Sequence, residues 1–145
     1  MKELVTRIEI NAPPAKVWET LMNFQDYPQW NPFVQFLLGK PQVGGQLHAL
    51  LAPPGGSQMV FHPTVLKVEP KKEFRWKGKL WFPGLFDGEH FFQLRPLGPD
   101  RTLFIQGEMF SGVLVPFLKK VLEGATQAGF KAMNEALKAR AEETL

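Results

Sequence analysis

The strongest constraint on the fold lies at the C-terminal end. From Val113 to Glu142 the chain carries one proline, Pro116, near the start, where a helix accepts it. Phe117, Val121, Leu122, Ala125, Ala128, Gly129, Ala132, Met133, Ala136 and Leu137 recur at helical spacing. Lys119, Lys120, Glu123, Lys131, Glu135 and Lys138 fall mainly elsewhere. The pattern predicts one helix of about 25 residues, roughly 38 Å long at about 1.5 Å per residue. Such a helix is long enough to run across a whole sheet.

The preceding residues supply that sheet. Leu4, Thr6, Ile8 and Ile10 alternate with Val5, Arg7 and Glu9, the signature of a half-buried strand. Asn11-Ala12-Pro13-Pro14 ends it, and Val17, Trp18, Leu21 and Met22 predict an amphipathic helix over residues 13 to 23. Between Asn23 and Pro32, Pro28 and Pro32 permit at most a short helical turn, whose Phe24, Tyr27 and Trp30 pack down as a lid or plug. Strands are expected over residues 33–38, 46–51, 58–69, 73–81, 87–95 and 102–110. Turn chemistry separates them at Gly44-Gly45, Pro53-Pro54-Gly55-Gly56, Glu69-Pro70-Lys71-Lys72 and Pro96 to Arg101. Phe82-Pro83-Gly84-Leu85 is a loop. The order is strand, short helices, six strands, long helix. This predicts an α+β fold in one domain over residues 1–145: a curved antiparallel sheet of six to seven strands around the C-terminal helix. A single helix cannot cover so wide a twisted sheet tightly, so a gap between the two is expected.

Composition narrows the function. With no cysteine, disulfides, thiolate metal sites and a cysteine nucleophile are excluded. A net charge of +3 comes from scattered lysines and arginines rather than one basic face, which argues against a nucleic-acid partner. Met1 to Val5 opens no signal-peptide run, and no stretch reaches the roughly 18 apolar residues of a membrane span. A cytoplasmic protein without stable membrane insertion is expected, as monomer or dimer. Thirteen Phe and four Trp against one Tyr supply large apolar surface with few polar handles, enough to fill a core or line a greasy pocket. The chain contains neither GxxxxGK[ST] nor GxGxxG. His48, His62 and His90 stand apart, and Ser57 and Ser111 occupy turn or strand-end positions, so neither a metal, a cofactor nor a serine triad is expected.

Ile8-Glu9-Ile10, Ala12-Pro13-Pro14, Val17-Trp18, Leu21 and Tyr27-Pro28-Gln29-Trp30-Asn31-Pro32 together resemble the opening of the START-like (SRPBCC, helix-grip) superfamily. Val68-Glu69-Pro70, Phe74-Arg75-Trp76, Gly84 to His90 and Phe110 to Pro116 look like its bacterial polyketide cyclase/dehydrase-type members. The resemblance covers essentially the whole chain. It implies the helix-grip fold, and a superfamily that includes lipid-transfer proteins, hormone receptors, cyclases, ring-hydroxylase domains and co-chaperone domains. Fold alone does not choose among these.

The last hairpin carries the most informative polar groups. A register with Leu94 opposite Phe104 sets Phe92 opposite Gln106 and His90 opposite Glu108, with Phe110 beyond, all on one face. The four apolar members mark it as the inward face. A buried carboxylate needs a partner or a wet cavity, and His90 is the partner for Glu108. The pair is either structural, near the sheet edge, or a polar anchor in an apolar pocket that orients a ligand carbonyl or hydroxyl. Acid–base catalysis by His90 and Glu108 is a special case of the second reading. The expected ligand-binding set is Trp30, Trp76, His90, Phe92, Phe104, Gln106, Glu108, Phe110, Phe117, Val121, Leu122 and Ala125, with the last four facing the sheet from the helix. The leading reading is binding or carriage of a hydrophobic small molecule: a lipid, isoprenoid or polyketide. A cyclase or dehydratase is the alternative. A co-chaperone-like interaction module, using the loop Leu80 to Phe86, is the third.

Overall fold

The computed structural model describes residues 2–79 and 84–143. The N-terminal alternation forms β1 (Lys2–Ile10), with Leu4, Thr6 and Ile10 buried. Pro14 sits in the first turn of α1 (Pro14–Met22), where its fixed φ suits the helix and its missing N–H is not needed. Val17 and Leu21, one turn apart, are the buried face of α1. The proline-bounded segment makes a 3-10 turn at Phe24–Asp26 and one helical turn, α2 (Tyr27–Trp30). Tyr27 is fully buried and its hydroxyl donates to the Leu21 carbonyl at 2.5 Å. Burial pushes its phenol far above the usual range.

Seven further strands follow among the described residues: β2 (Val34–Leu38), β3 (His48–Leu51), β4 (Met59–Phe61), β5 (Thr64–Glu69), β6 (Glu73–Lys79), β7 (Asp87–Gly98) and β8 (Arg101–Ser111). They form a five-stranded antiparallel sheet in the order β1-β8-β7-β6-β5 and a three-stranded one in the order β2-β3-β4. The single expected sheet is thus divided. The segment expected as one strand over residues 58–69 breaks at His62-Pro63, because Pro63 has no N–H to give a ladder. Residues 44–47 stitch the seam. Gly44 and Leu47 donate to the Val65 and Pro63 carbonyls at 2.9 and 2.8 Å, and Gln46 bridges Thr64.

After β8 the chain makes a 3-10 turn, Val115–Phe117, then a continuous helical run of 24 residues. The run comprises α3 (Lys119–Val121), a π turn (Leu122–Thr126) and α4 (Gln127–Glu142). It starts later than the spacing predicts because Pro116 is taken up in the 3-10 turn. Leu122, Gly129, Phe130, Met133, Asn134, Leu137 and Ala141 are its buried residues. At Gly129 a Cβ would stand 2.5 Å from the Phe33 ring, so the missing side chain lets the helix close on the segment entering β2. The fully buried Ile10, Val17, Leu21, Phe104, Met133 and Leu137 fill the space between the large sheet and α4. The architecture is α+β, with a curved antiparallel sheet gripping the C-terminal helix. The expected strand end at residues 80 and 81 and most of the Leu80–Phe86 loop lie outside the described residues. No helix among the described residues is long and apolar enough to cross a membrane.

Candidate functional site

The β7–β8 hairpin pairs His90 with Glu108, Phe92 with Gln106 and Leu94 with Phe104, the register expected from the sequence. Gln106 and Phe92 are fully buried and His90 is nearly so, while the Glu108 side chain keeps 16% of its exposure. The His90 ring lies among aromatic neighbours, with centroids 5.1 Å from Trp76, 4.7 Å from Phe92 and 5.0 Å from Phe130.

The polar members of this face form one chain of hydrogen bonds. Glu108 Oε1 and His90 Nδ1 are 2.9 Å apart, and His90 Nε2 stands 2.9 Å from Gln106 Oε1. Gln106 Nε2 donates to Asn134 Oδ1 at 2.7 Å, and Asn134 Nδ2 donates to Thr6 Oγ1 at 2.8 Å. Thr6 Oγ1 closes the chain by donating to the Gln106 carbonyl at 2.9 Å. Strands β1, β7 and β8 and the long helix each contribute a member, so the chain ties the sheet to the helix through satisfied buried groups. Asn134 and Thr6 were not among the residues expected at the site. Asn134 carries a sequence signal: it lies beside Phe130, Met133 and Leu137 on the apolar stripe, where a carboxamide needs buried partners.

Glu108 borders a cavity of about 220 Å³ between the sheet, the inner face of β3–β4 and the start of the long helix. The large sheet contributes Trp76, Gly88, His90, Glu108 and Phe110, and the helical end contributes Leu118, Val121, Leu122 and Thr126. Phe33, Ala49, Leu51, Met59 and Phe61 form the opposite wall. The alternation in residues 48–51 and 59–61 carries Ala49, Leu51, Met59 and Phe61 inward, so this wall was legible in the sequence. Phe86, in the described part of the Leu80–Phe86 loop, stacks on Phe110 at 5.6 Å and joins the wall.

Six of the expected residues therefore line one cavity: Trp76, His90, Glu108, Phe110, Val121 and Leu122. Phe92, Phe104 and Gln106 belong to the packed layer behind it. Ala125 is half-buried and off the wall. Phe117 does not face the sheet: it is 82% exposed, because it belongs to the 3-10 turn that precedes the helix. Trp30 is also elsewhere. Its turn tucks against Tyr27, with ring centroids 5.1 Å apart, and it does not reach this cavity. His48 and His62, isolated in sequence, meet across the small sheet with Nδ1 atoms 2.8 Å apart. They are exposed, and among the described residues no group of three or more His, Cys, Asp or Glu is placed to hold a metal ion.

The arrangement finds parallels among solved structures. The Zhui aromatase/cyclase from Streptomyces sp. R1128 superposes with a TM-score of 0.79 at 14% identity, over 97% of this chain and 93% of that one. A START superfamily protein from Mycobacterium smegmatis gives 0.74 at 24% identity over 97% of each chain. Norcoclaurine synthase from Thalictrum flavum, solved with dopamine and hydroxybenzaldehyde, gives 0.73 at 15% over 99% and 89%. At these identities the likeness establishes the fold alone. No curated protein matches the chain. A family model does, over residues 1–142, and its description is polyketide cyclase / dehydrase and lipid transport. With nearly every residue inside that match, the chain belongs to the polyketide cyclase/dehydrase and lipid transport family.

Proposed function

We propose that the protein binds or carries a hydrophobic small molecule in the cavity between sheet and helix. One observation carries this reading: a cavity of about 220 Å³ whose walls, among the described residues, are almost wholly apolar, with a single carboxylate, Glu108, set into them. Apolar walls with a few fixed polar groups are the common design of small-molecule sites. The family description, which includes lipid transport, supports it. Native mass spectrometry of the purified protein tests it. A small apolar molecule should add to the mass, or be taken up saturably from a hydrophobic panel. Ala49→Phe, which grows a ring into the cavity from a buried wall position, should abolish the uptake. A wild-type protein that takes up nothing from a broad panel contradicts the reading.

A second reading rests on the Glu108–His90 contact at the cavity edge. A carboxyl and an imidazole sharing a proton can move it to or from a bound molecule, the requirement of a cyclase or dehydratase. Glu108→Gln should then lower turnover of an accepted substrate by about a hundredfold or more while leaving uptake intact. Unchanged turnover leaves carriage alone.

A further inference from the structure

The hydrogen-bond chain behind the cavity determines which protons the site holds. A backbone carbonyl only accepts, so Thr6 Oγ1 must donate to the Gln106 carbonyl. Thr6 Oγ1 then receives the Asn134 amide N–H, which leaves Asn134 Oδ1 facing Gln106 Nε2. Gln106 must therefore present its oxygen to His90, and His90 Nε2 carries a proton. One further proton lies between His90 Nδ1 and Glu108 Oε1. If it rests on nitrogen, Glu108 is a carboxylate. If it rests on Oε1, Oε2 is the carbonyl oxygen of an acid. In both cases Oε2 offers only lone pairs. A proton on Oε2 as well would leave a nearly fully buried imidazolium with no counter-charge beside it, a costly state.

Oε2 is also where a ligand would meet the site. It lies over Gly88, where a Cβ would come within 1.9 Å of it, and Gly88 and Glu108 both line the cavity. Among the described residues no hydrogen bond reaches Oε2, while both ring nitrogens of His90 are already engaged. Among the described residues the other polar members of the wall are Thr126 and Lys79, and Lys79 is exposed. A purely apolar ligand would strip water from Oε2 and leave it unpaired. A carboxylate, ketone or ether would set lone pair against lone pair. An ammonium would bring a net charge to a pair that is neutral overall.

Building on the proposed carriage of an apolar molecule, we infer that the ligand is an apolar molecule bearing a hydroxyl, an alcohol or phenol that donates to Glu108 Oε2. His90, Gln106, Asn134 and Thr6 are positioning residues that hold Oε2 as an acceptor, and Gly88 provides the room for it. An acceptor at Oε2 excludes the ligand carbonyl that the sequence left open.

Calorimetric titration with 2-naphthol and 2-methoxynaphthalene tests this, since the two share one frame and only the first donates. 2-Naphthol should bind about tenfold tighter, as expected for one hydrogen bond to a charge-paired carboxyl group. The preference should disappear in Glu108→Leu. It should also disappear in Gly88→Ala, whose methyl displaces the carboxylate end without disturbing the backbone. Nitrogen-15 spectra of His90 should place a proton on Nε2. Equal affinity for both probes, or a neutral His90 protonated only on Nδ1, overturns the inference and leaves the apolar-ligand reading standing. Failure of both probes and of naphthalene to bind overturns both. A thermal melt of each variant separates loss of preference from loss of fold.

Discussion

Asn134 sits one helical turn from Phe130 and next to Met133, and its carboxamide joins Gln106 to Thr6. Replacing it with alanine leaves Gln106 Nε2 only the Phe130 carbonyl at 3.4 Å. An unsatisfied buried amide costs about 2 kcal/mol, so Asn134→Ala should lower the urea-derived unfolding free energy by that amount. A loss below about 0.5 kcal/mol, the size of an ordinary surface change, would mean the chain is not continuous. At this scale the sequence was informative where alternation operates. His90, Phe92, Gln106 and Glu108 could be placed on one face because a two-residue period leaves one alternative, and the neighbouring phenylalanines decide it. Asn134 and Thr6 were not legible as their partners, because which strand lies beside β8 and which helix residue lies above it depend on topology. Trp30 and Phe117 illustrate the converse. A large aromatic residue signals burial or contact, but the short turns that carry them decide its direction.

At the scale of elements, the two glycines of the long helix act in opposite senses. Gly124 has open space where a Cβ would be, whereas a Cβ at Gly129 would strike the Phe33 ring. Gly124→Ala should therefore stabilise by about 0.5–1 kcal/mol through helix propensity. Gly129→Val should destabilise by about 2 kcal/mol, since an overpacked contact against a buried ring outweighs any propensity gain. Thermal melts should move up for the first and down for the second. Equal upward shifts would mean the helix does not close on Phe33. The helix existed as a stripe in the sequence, but its start did not, because Pro116 fits a helical first turn and a 3-10 turn equally well. The π turn at Leu122–Thr126 adds to the offset between the drawn stripe and the buried face, and it lies beside the cavity.

For the whole molecule, the outer face of the large sheet contributes to the response to acid. Partial burial acts to raise the Glu73 carboxyl, but the Arg75 hydrogen bond and charge, with help from Gln93 and Lys67, bring it below its ordinary range. Arg75 also pairs with Glu89 at 2.6 Å and lies over the Phe91 ring. A depressed carboxyl stabilises fully above its unfolded value, about 4.5, and loses that contribution as pH falls through the folded one. The melting temperature of the wild type should therefore fall more steeply than that of Glu73→Gln below pH 4.5, and the two curves should run parallel above it. Parallel curves throughout would remove Glu73 from the account of acid stability. The overall grip of sheet on helix was legible because element order and length leave few packings. The division into two sheets was not, because the break rests on one N–H that Pro63 lacks.

The space between the sheet and the helix should receive an apolar, hydroxyl-bearing molecule. A crystal structure of the protein grown with 2-naphthol tests it most directly. The naphthalene frame should lie between Trp76, Phe110 and Leu122, with its oxygen within hydrogen-bonding distance of Glu108 Oε2 and His90 still bonded to Gln106. A cavity closed by collapsed side chains, or a ring bound with its oxygen turned away from Glu108, would contradict it.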